Sequence, residues 1–333
     1  MDQAHQRALL GKPFVGSSAA CRRLESELER VAAADIGVVI EGENGSGKNH
    51  AAQRIHALGR RAAGPYVEVP LGTLSPTLIE AELFGHEAGA FTGAVRARPG
   101  RFLRANGGTI VLDEIDGLAQ DIQTKLLRVL QERTVEPIGS ERSIPLDLRV
   151  ITTTSRPLAA EVRAGRFRED LYFRLAVVTL TTPPLRQRAE DIGPLAQHFL
   201  ARACARSRTP ERALTPAAIE RLRAHPWPGN LRELENAIER VLVLSADRGA
   251  PIDAGAFDFL GEAVDGMGER LAKQALAHGL GLLELERALL DVALRENSGN
   301  VAAAARQLGL SRKVFEARRA KTLVRADGDS SDA

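Results

Sequence analysis

One short segment near the N-terminus restricts the fold of this 333-residue chain more than any other. Residues 37–41 read GVVIE, a β-branched run typical of a buried strand, and residues 42–49 read GENGSGKN. The spacing of Gly42, Gly47 and Lys48 is that of a Walker A loop, whose backbone N–H groups and following helix N-terminus surround phosphates. The segment therefore predicts a strand, a phosphate-binding loop and a helix, with Lys48 reaching the terminal phosphates.

Two adjacent carboxylates end a second predicted strand. The segment GGTIVLDEIDGL contains an apolar run followed directly by Asp113 and Glu114. Ligands of α/β sheets bind at the carboxyl ends of strands, and neighbouring carboxylates repel each other unless a cation lies near them. We therefore expect Asp113 to hold Mg²⁺ or its water shell and Glu114 to polarise the attacking water. A solvated acidic turn is the alternative interpretation.

Further polar residues complete a predicted hydrolytic site. The β-rich segment LRVITTTSRPL ends its polar run in Thr154 and Ser155, whose hydroxyls are placed to sense a γ-phosphate. Arg168 and Arg174 lie close together on a predicted helix, either as arginine fingers for a neighbour's phosphate or as a solvated face with local acids. Arg232 lies in the first turn of another predicted helix, where a cation opposes the helix dipole and indicates an anionic partner such as the nucleotide.

A six-residue run, GAFTGA, spans residues 89–94 and consists of small residues around Phe91 and Thr92. Its two glycines permit backbone angles closed to other residues, so the loop is expected to turn sharply and to move. A mobile loop that carries a lone aromatic side chain is suited to contacting a partner outside its own domain.

Seven segments occur in order along the chain: GENGSGKN, ELFGHEAGAFTGA, GGTIVLDEI, LLRVLQE, FREDLYFRL, PPLRQR and WPGNLRELEN. Over roughly residues 14–245 they resemble the AAA+ ATPase domain of bacterial enhancer-binding proteins, the activators of sigma-54 RNA polymerase. GAFTGA is specific to this family among AAA+ proteins. The resemblance implies an α/β P-loop NTPase fold with a parallel sheet flanked by helices and a small helical lid. It also implies ATP and Mg²⁺ as cofactors, and a ring, expected to be a hexamer, that couples ATP hydrolysis to promoter opening.

The resemblance also assigns roles to single residues. The catalytic residues are expected to be Lys48, Asp113, Glu114, Arg168 and Arg174, the last two acting on a neighbouring subunit. Asp113 is an expected metal ligand, and Asn49 stands where a common P-loop has a Ser or Thr ligand, so its amide oxygen is expected to replace that hydroxyl, with a water as the alternative. The nucleotide-binding residues are Gly42, Glu43, Asn44, Gly45, Ser46, Gly47, Lys48, Asn49, Ser155 and Arg232. The residues expected to contact sigma-54 are Gly89, Ala90, Phe91, Thr92, Gly93 and Ala94.

Three positions depart from the family pattern. Asn49 stands where the family usually has Glu, which changes the charge beside the metal. Pro70 stands where the family has an Asn that restrains the Walker B glutamate, and proline has no side-chain donor. Ser155 replaces a sensor Asn with a shorter hydroxyl. We expect slower hydrolysis and altered coupling between the nucleotide and the GAFTGA loop.

The C-terminal segment has the pattern of a helix-turn-helix, with two short predicted helices joined at Gly309. Residues 306–325 contain seven basic residues against one acid, Glu316, a bias that suits phosphate contacts. The stretch GNVAAAARQLGLSR resembles a Fis-type domain that binds double-stranded DNA at an upstream enhancer-like site. We expect the DNA contacts at Ser311, Arg312, Lys313 and Arg318. Glu316 replaces a common Tyr and Arg319 an apolar residue, so a solvated basic helix is the alternative.

We divide the chain into an N-terminal extension at 1–13, an α/β ATPase subdomain at 14–182, a helical lid at 183–246, a linker at 247–281, a helix-turn-helix domain at 282–325 and a flexible tail at 326–333. The extension leaves no room for a sensing domain, so control is expected from a partner protein, from expression level or from nucleotide.

Composition limits the remaining possibilities. Hydrophobic residues make up 44% and charged residues 26% of the chain, as in an ordinary globular protein, and the net charge is only +2. A nucleic-acid surface must therefore come from local clustering. Two distant cysteines, Cys21 and Cys204, argue against a disulfide framework or a zinc site and favour a reducing cytoplasm. No apolar run is long enough to span a bilayer, so we expect no membrane partner.

Two other functions compete with a sigma-54 activator. A DNA-binding regulator that uses nucleotide only to assemble is compatible with Asn49, Pro70 and Ser155. The intact GAFTGA run and the Asp113-Glu114 pair count against it. An AAA+ remodeller for DNA replication has the same ATPase core but leaves GAFTGA unexplained.

Overall fold

The computed structural model describes residues 12–73, 76–91, 94–245, 249–262, 275–276, 278–297 and 299–326. Two of the predicted sigma-54 contacts, Thr92 and Gly93, lie outside the described residues. The chain divides into two compact units between Phe257 and Asp258.

Nine strands occur in the described part of the first unit. They are β1 (Val38–Glu41), β2 (Tyr66–Pro70), β3 (Gly85–His86), β4 (Arg98–Pro99), β5 (Thr109–Asp113), β6 (Thr134–Val135), β7 (Ile144–Pro145), β8 (Arg149–Thr154) and β9 (Val178–Thr181). Five of them form a parallel sheet in the order β2-β5-β8-β1-β9. The pairing aligns Glu41 with Thr154 and Pro70 with Asp113, so the carboxyl ends of the strands meet at one edge of the sheet.

Helices cover both faces of the sheet. They are α1 (Ala19–Ala32), α2 (Lys48–Leu58), α3 (Pro76–Phe84), α4 (Arg101–Arg104), α5 (Gln120–Glu132), α6 (Leu158–Arg163) and α7 (Glu169–Leu175). Successive strand residues alternate between the two faces, so Val38 and Ile40 pack in one core with α1 and α2, and Val39 packs in the other with α5 and α7. Burial on both faces explains the continuous apolar runs of the strands.

The lid follows the sheet with α8 (Ile192–Ser207), α9 (Pro216–Arg223) and α10 (Asn230–Leu244). Part of the segment that the sequence analysis treated as linker packs within this first unit. Ile252 forms an isolated bridge with Leu214 and accepts from Thr215 N (2.9 Å), and the Phe257 side chain is fully buried. These two apolar residues give the Gly- and Ala-rich segment a place in the lid core.

The second unit contains a three-helix arrangement. It consists of α11 (Leu282–Glu296), α12 (Val301–Gln307) and α13 (Arg312–Ala326), packed around Leu290, Ala293, Ala304, Ala305 and Phe315. Asn300 caps α12 by accepting from Ala302 N and Ala303 N, as its place before the predicted helix indicates. Gly309 has a φ of +67° in the turn before α13. Within the described ranges of both units, no helix combines the length and the apolar character needed to cross a membrane.

Candidate active site

The loop predicted to bind phosphate joins β1 to α2 at the carboxyl edge of the sheet. Its Gly45 and Gly47 have φ angles of +75° and +107°, which L side chains rarely adopt. Lys48 begins α2 and is buried, and its Nζ donates to the carbonyl oxygens of Gly42 (2.8 Å) and Glu43 (3.1 Å). Burial lowers the pKa of Lys48. The lysine charge is therefore held inside the loop, where a bound phosphate would meet it.

The two predicted Walker B carboxylates lie beside this loop, at the end of β5. Thr153 on β8 connects them, because its hydroxyl donates to Asp113 and accepts from the Glu114 backbone N–H (3.2 Å). Glu114 has a left-handed backbone (φ +60°). Its Oε2 packs so closely on Gly72 that a β-carbon there would lie 2.0 Å away. The structure thus adds Thr153 and Gly72 to the residues that position this pair.

Asn49, predicted to be a metal ligand, contacts a carboxylate that the sequence analysis missed. Its Nδ2 donates to Glu68 Oε1 on β2 (2.5 Å) and to Asp113 Oδ2 (3.2 Å). Burial and the neighbouring charge of Asp113 raise the pKa of Glu68. Because β2 pairs with β5, the sheet order brings Glu68 to the Walker B edge. Position 68 carried no motif, so only alternation along β2 could have indicated it.

Ser155, the predicted sensor of the γ-phosphate, comes one residue after β8. Its hydroxyl donates to Asp116 Oδ2 (3.2 Å), and the Thr154 hydroxyl donates to the carbonyl of Arg156 (2.6 Å). Both hydroxyls therefore have partners within the protein, and the hydroxyl that contacts the Walker B pair belongs to Thr153.

The turn before α10 packs directly on the phosphate loop. Leu231 N donates to Gly45 O (2.9 Å), and a β-carbon on Gly45 would lie 2.3 Å from Gly229 O and 3.2 Å from Arg232 Cβ. The backbone of Leu231 thus anchors the turn, and with it the adjacent predicted second sensor, Arg232, at the loop. Among the described residues, no hydrogen bond or ion pair involves the Arg232 guanidinium.

Asn230, which the sequence analysis did not assign, holds this turn in place. It is fully buried; its Nδ2 donates to Glu43 Oε2 and Asn44 O (both 3.1 Å), and its Oδ1 accepts from Leu185 N (2.7 Å). Arg186 also donates to the Glu43 carboxylate, and these two donors lower the pKa of Glu43 to about 2. Glu43, predicted to bind nucleotide, therefore connects the phosphate loop to the lid.

The two predicted arginine fingers lie elsewhere. Arg168 immediately precedes α7 and pairs with Asp170 (2.7 Å), while Arg174 Nη2 donates to Leu130 O (2.9 Å). Arg174 also lines a cavity of about 230 Å³ that includes Gly37, just before β1. Gly37 precedes β1 and the phosphate loop follows it, and the strand is about 13 Å long at about 3.3 Å per residue. Arg174 therefore lies at the edge of the sheet opposite its own phosphate loop.

The GAFTGA loop closes on itself at its base. Gly89 N donates to Ala94 O (2.8 Å) and Ala94 N to Phe91 O (3.0 Å), and the Ala94 side chain is buried. The Phe91 ring is 44% exposed and contacts the His86 ring edge-on, with centroids 5.0 Å apart. Ile138, between β6 and β7, bonds to the base of the loop by accepting from Glu87 N (3.0 Å).

Three of the four predicted DNA-binding residues lie at the start of α13, and the fourth, Arg318, lies two turns further along it. Ser311 precedes the helix and its hydroxyl accepts from Val314 N (3.3 Å), while Arg312 and Lys313 are exposed. Arg318 donates to Glu286 on α11 (2.8 Å). The first three therefore face solvent at the helix N-terminus, and Arg318 also contributes to the packing of the unit.

Three family models match the chain. They are the Sigma-54 interaction domain over residues 14–181, the AAA+ ATPase lid domain over residues 186–258 and the Bacterial regulatory protein, Fis family, over residues 282–321. The expected resemblance and fold class, an AAA+ P-loop NTPase with a lid and a helix-turn-helix, are confirmed.

Individual relatives agree with the models. The chain is 44% identical over 312 residues to the Transcriptional regulatory protein ZraR of Escherichia coli (strain K12), covering 92% of this chain and 68% of ZraR. It is 50% identical over 225 residues to the Response regulator protein FleR of Pseudomonas aeruginosa, covering 68% and 48%. The crystal structure of NtrX from Brucella abortus in complex with ATP has a TM-score of 0.72 and 30% identity, covering 96% and 71%.

Proposed function

The chain belongs to the sigma-54 interaction domain family, and we propose the roles that its residues have in the activation of transcription. It is an AAA+ ATPase and a sigma-54-dependent transcriptional activator that carries a DNA-binding helix-turn-helix. One observation carries the mechanism: Lys48, Asp113 and Glu114 meet at the carboxyl edge of one sheet, beside a loop shaped for phosphates. NtrX from Brucella abortus, to which this chain is similar, has a crystal structure in complex with ATP.

The donor set of this site fits Mg²⁺. The Asp113 carboxylate and the Asn49 amide supply oxygen atoms, the ligands that Mg²⁺ prefers. The carboxylates of Glu68 and Asp113 share one donor, the Asn49 amide nitrogen, so their negative charge favours a nearby cation. Bound Mg²⁺ would neutralise charge on the phosphates. Asp113 and Asn49 would hold this ion. Lys48 and Arg232 would bind the phosphates, and Glu114 would orient the attacking water. Thr153 joins the Asp113 carboxylate to the backbone of Glu114.

Hydrolysis requires a neighbouring subunit in this proposal. Because Arg174 lies at the edge of the sheet opposite its own phosphate loop, it serves the nucleotide of an adjacent copy, together with Arg168. The chain accordingly works as a closed ring, which we propose to be a hexamer. We propose a cytoplasmic location, with which the two buried free thiols of Cys21 and Cys204 are compatible.

The first test measures steady-state ATP hydrolysis across a protein concentration series, with Glu114→Gln as the blank. Turnover that rises more than linearly with concentration and falls at least about 100-fold in the blank is expected, because the general base and the neighbour's arginines are both needed. Retained nucleotide binding with no turnover at any concentration would instead favour the regulator that uses nucleotide only to assemble.

A mixing experiment tests whether the arginines act in trans. Glu114→Gln lacks the base but keeps its fingers, and Arg174→Ala lacks a finger but keeps its base. Mixed rings should regain hydrolysis, because an Arg174→Ala subunit receives its arginine from a Glu114→Gln neighbour. No recovery in the mixture would show that Arg174 acts within its own chain or not at all.

The GAFTGA loop couples hydrolysis to the polymerase through Phe91 and Thr92. Thr92→Ala should abolish ATP-dependent isomerisation of the closed promoter complex while ATP hydrolysis stays within about twofold of the parent. Loss of both activities together would contradict separate roles for the loop and the nucleotide site.

The start of α13 binds DNA phosphates through Ser311, Arg312 and Lys313. Replacing Lys313 with Ala should weaken binding to double-stranded DNA and lower the slope of log affinity against log salt by about one. Lys125→Ala, in the ATPase subdomain, is the control and should leave the slope unchanged.

A further inference from the structure

The Asn49 amide nitrogen, beside the Walker B strand, has two carboxylate acceptors. Nδ2 donates to Glu68 Oε1 at 2.5 Å and to Asp113 Oδ2 at 3.2 Å. An asparagine amide has two N–H donors, so both are used by these contacts. Glu68 provides the shorter bond, and it comes from β2, a strand that contributes no other side chain assigned to the site.

The orientation of the amide has a consequence for its oxygen. When the nitrogen faces two carboxylates, Oδ1 is at the other end of the amide, where it cannot repel them. Within the described residues, no hydrogen bond to Asn49 Oδ1 is formed by the protein. A turn of about 180° about the last side-chain torsion would reverse the two ends and set Oδ1 against negative oxygens. Glu68 therefore favours one of two possible orientations of Asn49.

We propose that Glu68 is a positioning residue of the ATPase site, which holds the Asn49 amide so that Oδ1 remains available to Mg²⁺. This inference rests on the proposed role of Asn49 as a metal ligand. It makes Glu68 act as a hydrogen-bond acceptor through Asn49, and not as a charged ligand of the ion. The two roles are separable, because glutamine keeps an acceptor oxygen and loses the charge.

The experiment compares Glu68→Gln with Glu68→Met. The affinity for a fluorescent ADP analogue is measured in EDTA and in Mg²⁺, and the ratio of the two gives the Mg²⁺-dependent tightening. Glu68→Gln should keep the tightening within about twofold of the parent. Glu68→Met should reduce it about tenfold, as expected for the loss of one hydrogen bond, with the affinity in EDTA unchanged.

Glu80→Met is the matched control, since Glu80 is a half-buried glutamate that pairs with Lys125, a residue with no role assigned in the site. It should leave the tightening unchanged. Equal losses in Glu68→Gln and Glu68→Met would overturn the inference, because the charge would then be the essential property. An unchanged ratio in Glu68→Met would overturn it as well.

A double-mutant cycle keeps the test independent of folding defects. Asn49→Ala should reduce the tightening as much as Glu68→Met, and the double variant should lose no more than either single one. Additive losses would contradict a shared role. A parent protein without any Mg²⁺-dependent tightening would refute the metal role of Asn49 itself, whereas normal tightening in Glu68→Met would refute only the role of Glu68.

Discussion

The phosphate loop and the GAFTGA loop are both glycine-rich, yet they differ in what surrounds them. Gly45 and Gly89 have nearly the same backbone conformation, with φ angles of +75° and +82°. A β-carbon on Gly45 would lie 2.3 Å from Gly229 O, whereas nothing lies within 4 Å of the same atom on Gly89. Gly45 is required both by its positive φ and by the close approach of its neighbours, whereas Gly89 is required by its positive φ alone.

The side chains of the two loops differ in the same way. At the phosphate loop, Asn230 is fully buried and bonds to two other segments of the chain, the phosphate loop itself and the segment at Leu185. At the GAFTGA loop, Phe91 is 44% exposed and has one ring contact, with His86. A site that must hold phosphates and exclude water is enclosed, while a loop that must engage a partner keeps its aromatic side chain accessible. Four tests probe this contrast, in order of expected effect on stability.

Gly45→Ala and Gly89→Ala form the sharpest pair. Both place a β-carbon at positive φ, which costs about 1 kcal/mol, but only Gly45→Ala adds a collision with a carbonyl oxygen. We expect a loss of about 3 kcal/mol in the free energy of unfolding for Gly45→Ala and about 1 kcal/mol for Gly89→Ala. Urea unfolding measures both. Equal losses would show that the lid turn does not confine the phosphate loop.

Asn230→Ala removes an amide that the phosphate loop and the lid share. It leaves Leu185 N and Asn44 O without their buried partner, so the free energy of unfolding should fall by about 2 kcal/mol. Thermal unfolding measures the loss. Asn297→Ala, which removes a half-buried amide in the second unit, is the control and should cost less than about 1 kcal/mol. A smaller loss for Asn230→Ala than for the control would contradict the enclosed character of this turn.

Phe91→Ala should affect function much more than stability. The ring is partly exposed, so the loss of its contact with His86 should cost about 0.5 to 1 kcal/mol in unfolding free energy. ATP hydrolysis should remain near the parent value while activation of sigma-54 transcription is lost. A variant that unfolds readily, or that loses hydrolysis in parallel, would place Phe91 among the structural residues instead.

Acid should release the contact between Glu43 and its partners. The pKa of Glu43 is lowered to about 2 from an ordinary 4.5, so the carboxylate contributes stability that is present above about pH 4.5 and is lost as pH falls towards 2. The difference in melting temperature between the parent and Glu43→Gln should therefore be constant from pH 7 to 5 and shrink below it. A difference that instead grows on acidification would contradict the sign of this pKa shift. Because the Glu43 side chain is partly exposed, at 41%, this effect should be the smallest of the four.

The sequence predicted the parts of the site that depend on short spacings. The Walker A loop, the strand ending in Asp113 and the turn before α13 each lie within about fifteen residues, and the structure has the corresponding elements: β1 followed by α2, β5, and α12 followed by α13. Motif order along the chain then indicated the family, which the family models confirm. Local geometry decides such features, because backbone conformation follows from neighbouring residue types.

Tertiary structure decided which distant side chains meet. The contact of Asn49 with Glu68, the place of Thr153 between Asp113 and Glu114, and the bond from Asn230 to Glu43 join residues that are 19 to 187 positions apart. Each depends on the strand order β2-β5-β8-β1-β9 or on the docking of the lid turn, neither of which periodicity or composition specifies. The sequence by itself therefore determined what chemistry this chain performs. Packing determined which residues hold the site residues in position, because contacts across a sheet follow from the fold and not from spacing along the chain.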